Sequence, residues 1–279
     1  MKENMDSMMN ILAGIPSRVI PNKGDYYADD GLLRCGVCGQ RREIMIVIFG
    51  REKTVPCLCE CESRREQEMR ERMQMEEQML YISRLRTTGL QDRLLRKCRF
   101  EMADDTREVS IARDYVRNWS RRATENTGLL LWGPVGTGKS FIAACIANAL
   151  IETGTPVLMT NFPKILNSMG SVFSEERKNY IASFQNYPLL IIDDLGVERS
   201  TEFTQEMVFQ LIDERYKSEL PLIVTTNKTW DEIKHPKNVG DARIFSRLRE
   251  MCVPVFVGGN DRRETKAEMN IKKMKETFK

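Results

Sequence analysis

No apolar run in the sequence exceeds seven residues, Phe141 to Ala147, where a membrane-crossing helix needs ~20. A signal-peptide pattern is also missing, since Met1 to Pro16 holds no long apolar stretch. These two absences predict a cytoplasmic protein with no membrane attachment. Charge of one sign is not in excess: the balance is +3 over 279 residues, so any attraction to nucleic acid must come from a local patch. No internal repeat is evident. Histidine is represented only by His235, in a polar loop before Pro236, and no role is assigned to it. The remainder, 41% apolar and 30% charged, is ordinary for a folded chain and excludes one that is fibrous or disordered throughout. The length allows one large domain and one small one.

In a cytosolic chain the eight cysteines point to metal ligands or core residues before disulfides. Cys98, Cys145 and Cys252 lie among apolar neighbours and are expected to be buried. The other five fall between Cys35 and Cys61. Cys35-Gly-Val-Cys38-Gly is a knuckle that turns two thiolates toward one point, and Cys57-Leu-Cys59-Glu-Cys61 follows. Four such thiolates suit tetrahedral Zn²⁺. Cys35, Cys38 and Cys57 are the first choices, then Cys59 or Cys61. Between the halves, Ile44 to Phe49, Gly50 to Lys53 and Thr54 to Pro56 predict strand, turn and strand. A unit this small has little core, so metal would supply much of its folding energy.

Residues 62–86 contain six acidic and six basic side chains and no Gly or Pro. Glu66 with Arg70 and Glu68 with Arg72 are acid-before-base pairs at helical spacing. This predicts a solvated connecting helix. The expected division is therefore a zinc-binding domain over 1–61, a linker helix over 62–90 and a larger domain over 91–279.

From about residue 90 short apolar strands alternate with helical segments. Strands are expected at Leu129–Trp132, Val157–Thr160, Leu189–Ile192, Leu222–Thr226 and Val253–Val257. Five such strands imply an α/β fold with a parallel sheet covered on both faces. Gly133-Pro134-Val135-Gly136-Thr137-Gly138-Lys139-Ser140, followed by Phe141, satisfies the phosphate-loop pattern between a strand and a helix. Its glycines let several N–H groups turn inward. Lys139 brings a cation to the terminal phosphates, and Ser140 offers a hydroxyl to Mg²⁺. Leu189 to Asp194 is a buried strand ending in two carboxylates: Asp193 suits the Mg²⁺ shell, and Asp194 suits polarising the attacking water. Leu222 to Asn227 is a further strand that ends in an amide able to orient the water and the γ-phosphate.

Together with Ser246-Arg-Leu248, these motifs resemble the AAA+ ATPases, and within them the DnaC/DnaI-type replicative helicase loaders; IstB-like transposition ATPases share the core. The resemblance covers roughly residues 95 to 265. Most AAA+ proteins carry Asp-Glu at the second motif, whereas this chain carries Asp-Asp, as the loader group does. The resemblance implies that Arg247 is an arginine finger reaching the nucleotide of a neighbouring subunit, with Arg243 as runner-up. It also implies a sensor-2-like arginine, for which Arg263 is chosen, an N-terminal zinc module that contacts a hexameric replicative helicase, and a grip on single-stranded DNA. Lys164, Arg177, Lys178, Tyr180 and Phe184 are the basic and aromatic candidates for that grip. The expected function is an ATP-, Mg²⁺- and Zn²⁺-dependent loader of the replicative helicase that self-associates through its AAA+ interfaces. The alternatives are an IstB-like ATPase assisting a transposase, against which the zinc module weighs, and a nucleotide-gated adaptor without meaningful turnover.

Overall fold

A computed structural model describes residues 19–48, 50–169, 174–196 and 202–262, with single positions 264, 271, 274 and 275 beyond them. The chain divides into two compact units, Met1–Met79 and Leu80–Lys279.

In the first unit, β1 (Tyr26–Tyr27) pairs antiparallel with β2 (Leu33–Arg34), and β3 (Glu43–Ile48) with β4 (Arg51–Pro56). The β3–β4 register runs from Glu43↔Pro56 to Ile48↔Arg51, so most of the expected four-residue turn is in fact strand. Helix α1 (Glu60–Gly89) follows. The core is small: Leu32, Leu33, Cys35, Val55 and Cys59 are buried, while Ile44, Met45 and Val47 face solvent. Much of the order comes from Arg42, which is 4% exposed. Its guanidinium pairs with Asp25 and, at 2.9 Å, with Glu62 in the first turns of α1. On α1 the Glu66–Arg70 pair forms at 3.4 Å, and Met69, Met73, Met75 and Met79 are exposed, as a solvated helix requires.

In the second unit a five-stranded parallel sheet has the order β6-β7-β8-β5-β9. Its strands are β5 (Gly128–Trp132), β6 (Val157–Asn161), β7 (Leu189–Leu195), β8 (Leu222–Thr226) and β9 (Cys252–Phe256). Side chains alternate between faces, and both faces are apolar, which is why these strands read as unbroken apolar runs. Leu129, Leu131, Ile191, Ile223 and Val255 face α2 (Arg107–Arg117) and α4 (Lys139–Glu152). Leu130, Leu190, Ile192, Leu222 and Val224 face α5 (Phe162–Met169), α7 (Glu202–Lys217) and α9 (Val239–Met251). Short helices α3 (Trp119–Thr124), α6 (Ser174–Ser183) and α8 (Trp230–Lys234) complete the unit. Three alanines and Cys145 bring α4 close against the sheet, and Ile82 and Leu85, near the end of α1, pack on the same core. Cys145 and Cys252 are buried as expected; Cys98 is only half-buried.

Arg215 on α7 is fully buried, and among the described residues no carboxylate pairs with it. It donates to the carbonyls of Phe184, Pro188 and Pro221, tying the entrances of β7 and β8 together. Burial pushes its pKa down to about 10, which still leaves it charged at neutral pH.

Candidate nucleotide site and thiol cluster

The C-terminal ends of β5, β7 and β8 point to one edge of the sheet, where open parallel sheets bind ligands. The phosphate loop joins β5 to α4. Gly138, the N-cap of α4, lies at φ +103°, a conformation that L side chains avoid. Gly136 lies at φ +79°, and a Cβ on it would lie 2.1 Å from the Asp261 carboxylate, so a larger residue would push that side chain off the loop. The Arg262 N–H donates to Gly136 O at 3.1 Å, tying the two together. Lys139 is 5% exposed, and its Nζ donates to Gly133 O at 2.9 Å and to Pro134 O at 2.6 Å. Thr137 Oγ1 donates to Pro134 O.

Lys139, Ser140, Phe141, Val135, Asp194 and Asn227 share one cavity of about 310 Å³, at the lower end of the ~300–1,000 Å³ common for small-molecule sites. Met102 and Arg262 also line it. Asp193 lies beside the cavity and hydrogen-bonds the side chains of Ser140 and Thr225; burial raises its pKa against those two bonds. Two ligands at adjacent corners of a Mg²⁺ octahedron lie ~3 Å apart, about hydrogen-bond distance, so the Ser140–Asp193 pair fits that ion. Asn227 Nδ2 approaches Asp194 Oδ1 at 3.4 Å.

Arg247 is not in this cavity. It sits on α9, 3.3 Å from Asp213 Oδ1 and over the Tyr216 ring, beside Arg243, which covers Phe209. The two arginines line a separate surface groove. Arg263 lies outside the described residues. Its neighbour Arg262 lines the cavity, close to Gly138, and pairs with Asp104 at 2.9 Å. Sequence reasoning did not single out Arg262, because Asp-Arg-Arg offers two adjacent cations that the sequence does not tell apart. The DNA candidates separate as well. Phe184 is buried and Tyr180 packs edge-on against it, so both aromatics belong to the core, while Lys164 and Lys178 remain exposed.

In the first unit, the Sγ atoms of Cys35, Cys38, Cys59 and Cys61 all lie within 4.8 Å of one another. Tetrahedral zinc at a Zn–S distance of ~2.3 Å holds sulfurs ~3.8 Å apart, so the set fits after a contraction of at most about 1 Å. Cys57, a first choice from sequence, is not in the set. Its N–H still extends the hairpin ladder to Arg42 O, and its thiol donates to Arg41 O at 3.3 Å. Cys59 and Cys61 instead straddle the start of α1, where the chain turns back to the knuckle. A backbone N–H from Gln40 lowers the Cys38 thiol to about 6, and its bond to Cys38 pushes Cys61 up to about 12. Among the described residues, no helix is long and apolar enough to cross a membrane.

The family described as IstB-like ATP binding protein matches residues 57–269. The chain is 27% identical over 164 residues to the replicative helicase loader DnaI of Bacillus subtilis, and 30% identical over 156 residues to the loader DnaC of Escherichia coli. Each match covers 54% of this chain, and the chain spans 51% and 60% of the lengths of those two relatives. An insertion-sequence ATP-binding protein of Sinorhizobium fredii is 33% identical over 109 residues, covering 39% of this chain and 36% of its own. Crystal structures of DnaI (TM-score 0.51, 23% identity, 64% of this chain and 99% of that one) and of the DnaC loader (0.53, 19%, 60% and 100%) share the α/β AAA+ fold.

Proposed function

From the premise that this chain belongs to the family of IstB-like ATP-binding proteins, we propose that it is a Mg²⁺-dependent ATPase that loads a hexameric replicative helicase onto single-stranded DNA. In the ATPase half, the inward N–H groups of the phosphate loop and Lys139 bind the β- and γ-phosphates. Ser140 and Asp193 hold Mg²⁺, which when bound supplies Lewis acidity at the phosphates. Asp194 draws the proton of the attacking water, and Asn227 orients Asp194 and that water. Arg262 reaches the phosphates from the segment after β9. Arg247 faces away from the chain's own cavity, as a residue serving a neighbouring subunit would.

The observation that carries the loader reading is the four-thiol cluster ahead of the ATPase core. The nucleotide machinery is complete without it, so a zinc-stapled unit with exposed Ile44, Met45 and Val47 is best explained as a docking surface for a protein partner. The two loaders align over more of this chain than the insertion-sequence relative does, which favours the same reading over a transposase partner. The test is capture of purified hexameric replicative helicase by the full chain. Wild type should retain helicase, and Cys59→Ser should lose it while still binding ATP. Capture of a transposase but no helicase would reverse the assignment. Binding of both partners with no ATP turnover, with or without DNA, would favour the nucleotide-gated adaptor.

The finger has its own test. Arg247→Ala should cut turnover by about tenfold or more while leaving ATP affinity within about twofold. Mixing Arg247→Ala with Lys139→Ala subunits should restore part of the activity, because each mutant supplies what the other lacks at shared interfaces. An inactive mixture would make Arg247 a surface residue.

A further inference from the structure

The strand that carries the two aspartates is not regular. Ile192 pairs with Val224, and the next pair is Leu195 with Thr226. Two residues of β7, Asp193 and Asp194, therefore lie opposite the single residue Thr225 of β8. This is a β-bulge, rare between parallel strands and often found where a sheet re-aims side chains at a site. Asp194 takes φ +59°, the left-handed region that non-glycine residues seldom occupy. The bulge takes the Asp194 N–H out of the backbone ladder.

Thr225 fills that gap with its side chain. It is fully buried, and its Oγ1 accepts from the Asp194 N–H at 2.8 Å and donates to Asp193 Oδ1 at 2.7 Å. One hydroxyl thus satisfies the displaced backbone donor and occupies one lone pair of the Asp193 carboxylate. Its hydrogen is committed to Asp193, which leaves the carboxylate's other positions directed toward Ser140. Thr226, the next residue, is equally buried, but its hydroxyl donates to Leu195 O, a backbone group beyond the bulge. The two threonines look alike in the sequence and differ only in what they hold.

We propose that Thr225 is a positioning residue of the ATPase centre: its hydroxyl locks the bulge that aims Asp193 at the metal and Asp194 at the water. The inference rests on the ATPase reading and names a residue that this reading does not use. A methyl in place of the hydroxyl keeps the volume of Thr225 but leaves the Asp194 N–H without its partner and the Asp193 carboxylate free to rotate. Nucleotide held only by the phosphate loop should be indifferent to that change. Metal coordination and water orientation should not be.

The experiment uses the full chain and three substitutions, Thr225→Val, Thr225→Ser and Thr226→Val, each checked for folding by thermal unfolding. The first readout is the factor by which Mg²⁺ tightens binding of a fluorescent ATP analogue relative to EDTA. The second is the division of ATP turnover between kcat and KM. Thr225→Val should lose most of the Mg²⁺ enhancement and about tenfold or more in kcat, with KM rising in step with the lost enhancement and EDTA affinity within about twofold. Thr225→Ser should retain both properties, and Thr226→Val should match wild type once folded. Equal kcat and equal Mg²⁺ enhancement in Thr225→Val and wild type would overturn the proposal. So would a folded Thr225→Ser as poor as Thr225→Val, or a Thr226→Val that falls as far. If Thr225→Val does not fold, Thr225→Ala takes its place, and the serine variant still decides whether the hydroxyl suffices. If wild type shows no turnover, the ATPase reading fails, while the Mg²⁺ enhancement still judges Thr225.

Discussion

Lys139→Ala should all but abolish ATP binding and turnover while leaving the sheet intact. Lys139 is buried at the mouth of α4, and its Nζ donates to the loop carbonyls of Gly133 and Pro134. The two faces of the sheet are held by apolar side chains. For a phosphate ligand it is the compact cation closest to the helix N-terminus, where the loop N–H groups converge. Loss of about a hundredfold in affinity corresponds to ~2.7 kcal/mol, within reach of one buried charge-assisted contact. Titration with a fluorescent ATP analogue gives the affinity, and far-UV circular dichroism checks the fold. Wild-type affinity in the variant would remove the phosphate loop from the mechanism. Asp194→Asn separates binding from chemistry. Asparagine tolerates φ +59° as well as aspartate does, so the bulge survives, yet the amide cannot take a proton. That variant should bind ATP normally and turn it over poorly.

The second large effect is loss of zinc. Purified chain, kept reduced and free of chelator, should carry about one zinc, as one tetrahedral site requires. Removing it should unfold the first unit and leave ATP binding by the second in place. Few residues of the first unit are buried, and two of them, Cys35 and Cys59, belong to the thiol cluster itself. Structural zinc contributes ~10–16 kcal/mol of apparent folding energy at neutral pH, far more than so small a core supplies. Cys59→Ser should abolish zinc binding, and Cys57→Ser should leave the metal content unchanged, because the Cys57 thiol is engaged with Arg41 O. Elemental analysis and hydrogen exchange of residues 19–79 check both. Absence of zinc, or equal loss in the two variants, would count against the four-thiol site. The expected pH response has a definite sign: zinc needs thiolates, so acidification should release it as protons compete for the sulfurs.

The sequence by itself determined whatever depends on short-range pattern. Short apolar runs set the five strands, because a strand buried on both faces has no polar alternation to keep. Adjacent residues in one loop set the phosphate site, since Gly133 to Ser140 needs no distant partner to be recognised. The solvated helix was legible for the same local reason, in charge pairs one turn apart and no helix breaker over 62–86. Tertiary structure decided what depends on chains meeting from far apart. It chose Cys59 and Cys61 over Cys57, because the hairpin ladder keeps Cys57 while the start of α1 turns the other two toward the knuckle. It turned Tyr180 and Phe184 into the core, because an aromatic next to a basic residue reads the same on a surface as under one. It brought Arg262 to the cavity beside a backbone bond to Gly136, a meeting of distant segments that composition does not encode. It also set Thr225 apart from Thr226, because a bulge is a mismatch between two strands and neither strand carries it alone.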